Sequence, residues 1–192
     1  CVREDLSKEA DRKMVVIDPI KLTITNYPEG KTEELESEDN PEKDSIKKRI
    51  MPFNKHLYIE REDFKEEANR KFFRLTTGKE VRLKSAYIIK GTGVIKDAAG
   101  NIVEILCEYD PKSKSGSGTE ESLRKVKGTL HWVTQKESIN IIVNSYDRLF
   151  KEEAPGSNEK GSFLDDINPD SLKVLHAKAE PSLKDVVPGD TF

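Results

Sequence analysis

The chain has 192 residues, of which 36% are charged and 34% hydrophobic, with a formal net charge of −3. About 25% charged is usual for a globular domain, so the core is thin for the surface, and one or two small or elongated domains fit better than one sphere. Apolar runs are only a few residues long, which excludes a membrane-spanning helix, and any nucleic-acid surface must rest on local rather than global charge.

No signal-peptide pattern opens the chain. It begins on Cys1 in mid-pattern without an initiator Met, which reads as a piece of a longer protein. Cys1 and Cys107 read as free thiols of a reducing compartment, and the distant His56, His131 and His176 form no metal-ligand spacing.

In chain order, residues 2–13 are charged and suit a helical turn or two. Met14–Asn26 is rich in Val, Ile and Thr and predicts a strand, a kink at Asp18-Pro19 and a second strand with Ile20, Leu22 and Ile24 on one face. Residues 27–49 hold seven acids between Lys31 and Ser45 and read as an exposed loop or ragged hairpin. A short strand follows at 55–60. Asp63–Arg70 favours a helix through Phe64 and Ala68, with Asp63 as a possible cap. Glu80–Lys90 reads as one strand, continued at 94–96 after Gly91-Thr92-Gly93. A turn at 97–101 leads to a returning strand, Ile102–Tyr109. Lys112–Ser122 reads as a flexible Ser/Gly loop. Strands are expected at 126–134, 138–150 and 172–180, with a helical turn at 163–166. The pattern is all-β with one or two short helices, that of a sandwich or a barrel, and is read as two small β-barrels.

The stretch Asn69–Lys90 runs against the overall charge. It carries Arg70, Lys71, Arg74, Lys79, Arg82, Lys84 and Lys90 against the single acid Glu80, with Phe72 and Phe73 embedded. Read as a strand, it puts Arg82 and Lys84 on one face, toward one partner. Two readings stand here, a nucleic-acid surface and a solvated sheet face with charged gatekeepers.

No catalytic constellation is visible. Gly91-Thr92-Gly93 lacks the third glycine and following helix of a dinucleotide fingerprint and reads as a bulge or hairpin glycine pair. Lys112–Ser115 echoes a KMSKS loop, but the Met and a HIGH partner are missing, so it reads as linker. No nucleophile elbow occurs, Asp165-Asp166 suits a turn or cap, and Trp132 beside His131 suits the core or a cavity wall.

Longer blocks carry a resemblance. They are CVREDL at Cys1–Leu6, VIDPIKLTI at Val16–Ile24, DFKEEANRKFFRLTTGKEVRLKSAYIIK at Asp63–Lys90, VKGTLHWV at Val126–Val133, YDRLF at Tyr146–Phe150, and FLDDINPDSL with AEPSLKD across Phe163–Asp185. In this order they resemble the C-terminal anticodon-binding region of glutaminyl-tRNA synthetases, class I aminoacyl-tRNA synthetases. The same region of eukaryotic-type glutamyl-tRNA synthetases is similar and stays open as an alternative, as does a non-catalytic β-barrel that docks on protein.

The resemblance implies two barrels, a proximal one from 1–60 with 140–192 and a distal one from 61–139, with the anticodon loop of tRNA(Gln) splayed between them. It implies a cytoplasmic, monomeric parent ligase whose Rossmann catalytic domain lies upstream and holds ATP and Mg, so that this chain has no cofactor and no catalytic residue of its own. By its family positions, Arg3 would read the middle anticodon base and Arg74 the third. Arg82 and Lys84 would serve the first base and nearby phosphates. Lys71 stands where an amide is familiar, Phe73 where a basic residue is common, and Lys84 where Arg is commoner, which costs the bidentate fork.

Overall fold

The computed structural model describes residues 2–43, 47–69, 71–156 and 162–192, with the side chains of Val2, Arg3 and Asp5 outside the described residues. The elements in order are α1 (Val2–Glu9), β1 (Val15–Ile17), β2 (Pro19–Ile24), β3 (Glu33–Glu38), β4 (Lys48–Phe53), β5 (His56–Glu60), β6 (Glu80–Leu83), β7 (Ile88–Lys96), β8 (Ile102–Tyr109), α2 (Glu120–Leu123), β9 (Thr129–Leu130), β10 (Val133–Thr134), β11 (Ile139–Tyr146) and β12 (Leu172–Ala179). Short 3₁₀ turns sit at Arg61–Asp63, Pro111–Ser113, Phe163–Asp166 and Pro181–Leu183. The fold is all-β with two short helices, as the sequence pattern indicates.

A seven-stranded sheet runs β10-β5-β2-β8-β7-β6-β9, a second sheet runs β1-β12-β11, and β3 pairs with β4 as a hairpin. The kink at Asp18, whose φ is 45°, lets β1 join β12 while β2 joins β5 and β8. The seven-stranded sheet therefore takes β2 and β5 from before residue 60 and β6 to β10 from after it.

The sheet closes over an aromatic cluster. Phe53 meets Tyr27, Tyr87 and Trp132 at centroid distances of 5.3, 5.2 and 5.2 Å, and Tyr109 meets Tyr27 and Tyr87 at 5.1 Å each. Edge-on and tilted packing of this kind adds to the burial of large apolar rings. Ile20, Leu22 and Ile24 of β2 are fully buried among them, as their alternation predicts.

Four local expectations change. Glu80–Lys90 is two antiparallel strands, not one, because Ser85 takes φ 59° and closes a tight turn with Ala86 N donating to Leu83 O at 2.9 Å. The helix expected over Asp63–Arg70 does not form among its described residues 64–69. Leu75 N donates to Asp63 O at 3.0 Å and Lys65 N to Leu75 O at 3.2 Å, so long-range pairing takes the backbone groups a helix would need. The acidic segment is a defined hairpin, β3 to β4, with Leu35 and Ser37 buried. The Ser/Gly loop after β8 is ordered, with Ser113 fully buried and its hydroxyl accepting from Ile88 N at 2.8 Å.

The glycine pair at 91 and 93 forms a bulge in β7 against β8. A Cβ on Gly91 would lie 2.6 Å from the Thr76 carbonyl oxygen, so only glycine lets the 75–79 segment cross here.

Candidate nucleic-acid interface

The basic stretch does not form one stripe. Arg74 and Lys79 line one concave surface and Lys84 another.

The first is a pocket of about 280 Å³ lined by Phe72, Phe73, Arg74, Lys79, Glu80 and Lys127. Arg74 stands half exposed at its edge, and its Nη1 is ion-paired with Asp63, whose side chain is only 3% exposed. A buried carboxylate needs such a partner, and it fixes one end of the guanidinium while the remaining donors stay available. Lys127 Nζ lies 5.2 Å from the centre of the Phe73 ring, and Lys65 Nζ lies 5.0 Å from that of Phe72. Lys71 is exposed in the turn that leads here, its backbone N donating to Asn69 Oδ1 at 3.0 Å.

The second is a groove of about 780 Å³ between the β3–β4 hairpin and the turns at 84–86 and 114–117. Arg12, Lys48, Lys84 and Lys114 line it together with Glu34, Glu36 and Glu38. Lys114 is held by Glu33 at 2.5 Å and Lys48 by Glu36 at 2.8 Å. Lys84 makes no ion pair among the described residues. Its main chain is clamped instead, with its N donating to Leu130 O at 3.0 Å and its O accepting from Trp132 Nε1 at 2.9 Å. Between Leu130 and Trp132, His131 is exposed as a residue, but its ring is surrounded by protein. The crowding of its ring by protein, together with Lys84 and Arg74, holds its imidazole below its ordinary value of 6.5.

Arg82 lies between the two surfaces and turns inward. Its Nη1 donates to Ser113 O at 3.0 Å and Ser115 Oγ at 3.1 Å, and its Nη2 to Ser122 O at 2.8 Å and Arg124 O at 3.4 Å. Burial and the neighbouring Arg124 lower its pKa, and no carboxylate is paired with it among the described residues. Arg82 thus binds the loop that follows β8. The Arg3 side chain and Arg70 lie outside the described residues.

So the structure puts Arg74 at one pocket, Lys84 in the other groove and Arg82 on the loop, with Lys71 exposed in the turn before Arg74 and lining neither. Sequence reasoning did not find Lys127 opposite Phe73 or Lys114 beside Lys84, since each comes from a distant segment. Among the described residues, no cluster of His, Cys, Asp and Glu could hold a metal ion. No helix of the described residues is long and apolar enough to cross a membrane.

An all-β scaffold that presents cations and an exposed aromatic in one small hollow, with a larger cation-bearing groove beyond it, suits single-stranded RNA. The comparison with known families agrees. Residues 10–110 match the family described as tRNA synthetases class I (E and Q), anti-codon binding domain, and residues 129–192 match a second family of the same description. The chain belongs to this anticodon-binding family of the class I tRNA synthetases.

Its curated relatives are more particular. It is 55% identical over 190 residues to a glutamine–tRNA ligase of Rhodopirellula baltica, covering 98% of this chain and 31% of that protein. It is 47% identical over 191 residues to one from Clostridium kluyveri and 46% over 192 residues to one from Salmonella newport, each covering 100% of this chain and 34% of the relative. The chain thus spans about a third of the length of the curated relatives it matches.

Proposed function

We propose that this chain reads the anticodon loop of tRNA(Gln) as the anticodon-binding part of a glutamine–tRNA ligase. The observation that carries the reading is Arg74, held on the buried carboxylate of Asp63 at the edge of a base-sized pocket. A guanidinium fixed at one end and open at the other offers paired donors to a splayed base, and preorganisation lowers the entropic cost of binding.

In this proposal Arg74 meets the third anticodon base, Lys84 serves the first base or its phosphate, and Lys71 adds charge at the turn. Arg82 acts by holding the 113–124 loop in place, and a direct contact with RNA would require it to exchange those acceptors. Arg3 is assigned to the middle base by the resemblance alone. The proposed two barrels, 1–60 with 140–192 and 61–139, then share strand pairing across residue 60. ATP, Mg and aminoacylation belong to the parent's catalytic domain, packed on the N-terminal side, in a cytoplasmic monomer.

The test is binding of the chain to a glutamine anticodon stem-loop and to a loop of equal length with the three anticodon bases changed. Preference for the glutamine loop supports the reading. Equal affinity leaves only attraction to phosphates and removes it.

A further inference from the structure

The pocket beside Arg74 has an aromatic wall to which neither the family description nor the relatives' names assign a role. Phe73 leaves 52% of its surface exposed. Burying apolar ring surface is favourable, so a ring kept at the surface is available to a ligand. The Phe73 backbone is also fixed. Its carbonyl lies where a Cβ on residue 128 would stand, and Gly128 at φ 140° allows the following segment to close against it. That closure brings Lys127 over the ring at 5.2 Å. Lys79 and Arg74 share the same hollow, and the one acid there, Glu80, is already ion-paired with Arg124.

A ligand that satisfies both the ring and the surrounding cations needs a flat π face and negative charge. An unstacked nucleotide has both, whereas an acidic peptide supplies only the charge unless it also carries an aromatic. We propose that Phe73, backed by Lys127, is a stacking platform for one unpaired base of the anticodon loop, placing that base edge-on to Arg74. The proposal rests on the anticodon-reading function above.

The experiment titrates the chain, Phe73→Leu and Phe73→Trp with the glutamine anticodon stem-loop and with three versions, each abasic at one anticodon position. Leucine keeps the apolar bulk and removes the π face. We expect Phe73→Leu to weaken binding to the intact loop by about five-fold or more and Phe73→Trp to keep it. One abasic loop should bind the unsubstituted chain weakly and be indifferent to Phe73→Leu. An unchanged affinity for Phe73→Leu with anticodon preference intact overturns the platform alone. An equal loss on all four loops also overturns it, as a merely structural effect. If the unsubstituted chain binds polyglutamate and no loop, the RNA reading itself fails and the surface belongs to a protein partner.

Discussion

Arg82 Nη1 donates to the carbonyl of Ser113 at 3.0 Å, while the Ser113 side chain accepts from Ile88 N at 2.8 Å. One guanidinium thereby ties the loop after β8 to the hairpin that ends in Lys84. Lysine keeps the charge but cannot span four acceptors. Arg82→Lys should speed hydrogen exchange at the amides of Ile88 and Ser115 by about ten-fold or more, and weaken RNA binding as a consequence. Lost binding with unchanged exchange would instead give Arg82 a direct contact with RNA.

Glu180 is fully buried and takes Arg49 in a two-point pair, Nε to Oε1 at 2.5 Å and Nη2 to Oε2 at 2.8 Å, while Met14 N donates to the same carboxylate at 2.7 Å. The pair joins the end of β12 to β4, and so one sheet to the acidic hairpin. Removing Glu180 takes away the two-point partner of a guanidinium only 8% exposed, leaving it Asp39 and the Glu38 carbonyl at 3.0 Å each, and leaves Met14 N without its acceptor. Glu180→Ala should cost about 3–5 kcal/mol in urea unfolding, and adding Arg49→Met should recover part of that loss.

Acid should weaken the fold in two steps. His131 has a lowered pKa, so as pH falls through about 6.5 the unfolded chain takes up a proton more readily than the native chain, and stability falls. Burial pushes the Glu33 carboxyl up, but Lys114 and the Tyr87 hydroxyl outweigh it and leave it below its ordinary 4.5. A hydrogen bond from Lys43 likewise lowers Asp11 from 3.8. These two carboxylates stabilise the fold above their ordinary values, and that stability is lost as pH falls through their folded ones. Urea midpoints measured between pH 7 and 3 check this, and His131→Gln should flatten only the upper part of the curve.

Cys107 is fully buried in β8, and burial pushes its thiol up to about 12. With almost no thiolate present and no access, it should resist iodoacetamide at pH 8 in the folded chain. Mass spectrometry of peptides containing Cys107 should find it alkylated only after unfolding.

Strands were the legible part of this sequence, because Ile20, Leu22 and Ile24 alternate with residues of other character and a buried face follows directly. The helix expected after Asp63 failed because Phe64 and Ala68 have helical spacing, yet Phe64 bridges Leu75, a partner that spacing cannot reveal. Alternation also ran straight through the turn at Ser85, since Ala86 and Tyr87 are buried there as strand residues would be. At the site, Arg74, Arg82 and Lys84 stood out as members of a basic stretch that runs against the overall charge. The role of Arg82 did not, because three of its acceptors are backbone carbonyls 31 to 42 residues away, and a carbonyl leaves no mark in a sequence. The Phe73–Lys127 pair was hidden for a related reason, since only the path of the chain around Gly128 brings the two together.

The central claim is that a base, and not only a phosphate, meets Arg74. The direct measurement is a cycle of affinities, with Arg74 or Arg74→Ala against glutamine anticodon stem-loops bearing G or another base at the third position. Arg74→Ala should cost about 1–3 kcal/mol on the G loop and little on the others, so that preference at that position collapses. An equal loss on every loop would contradict it.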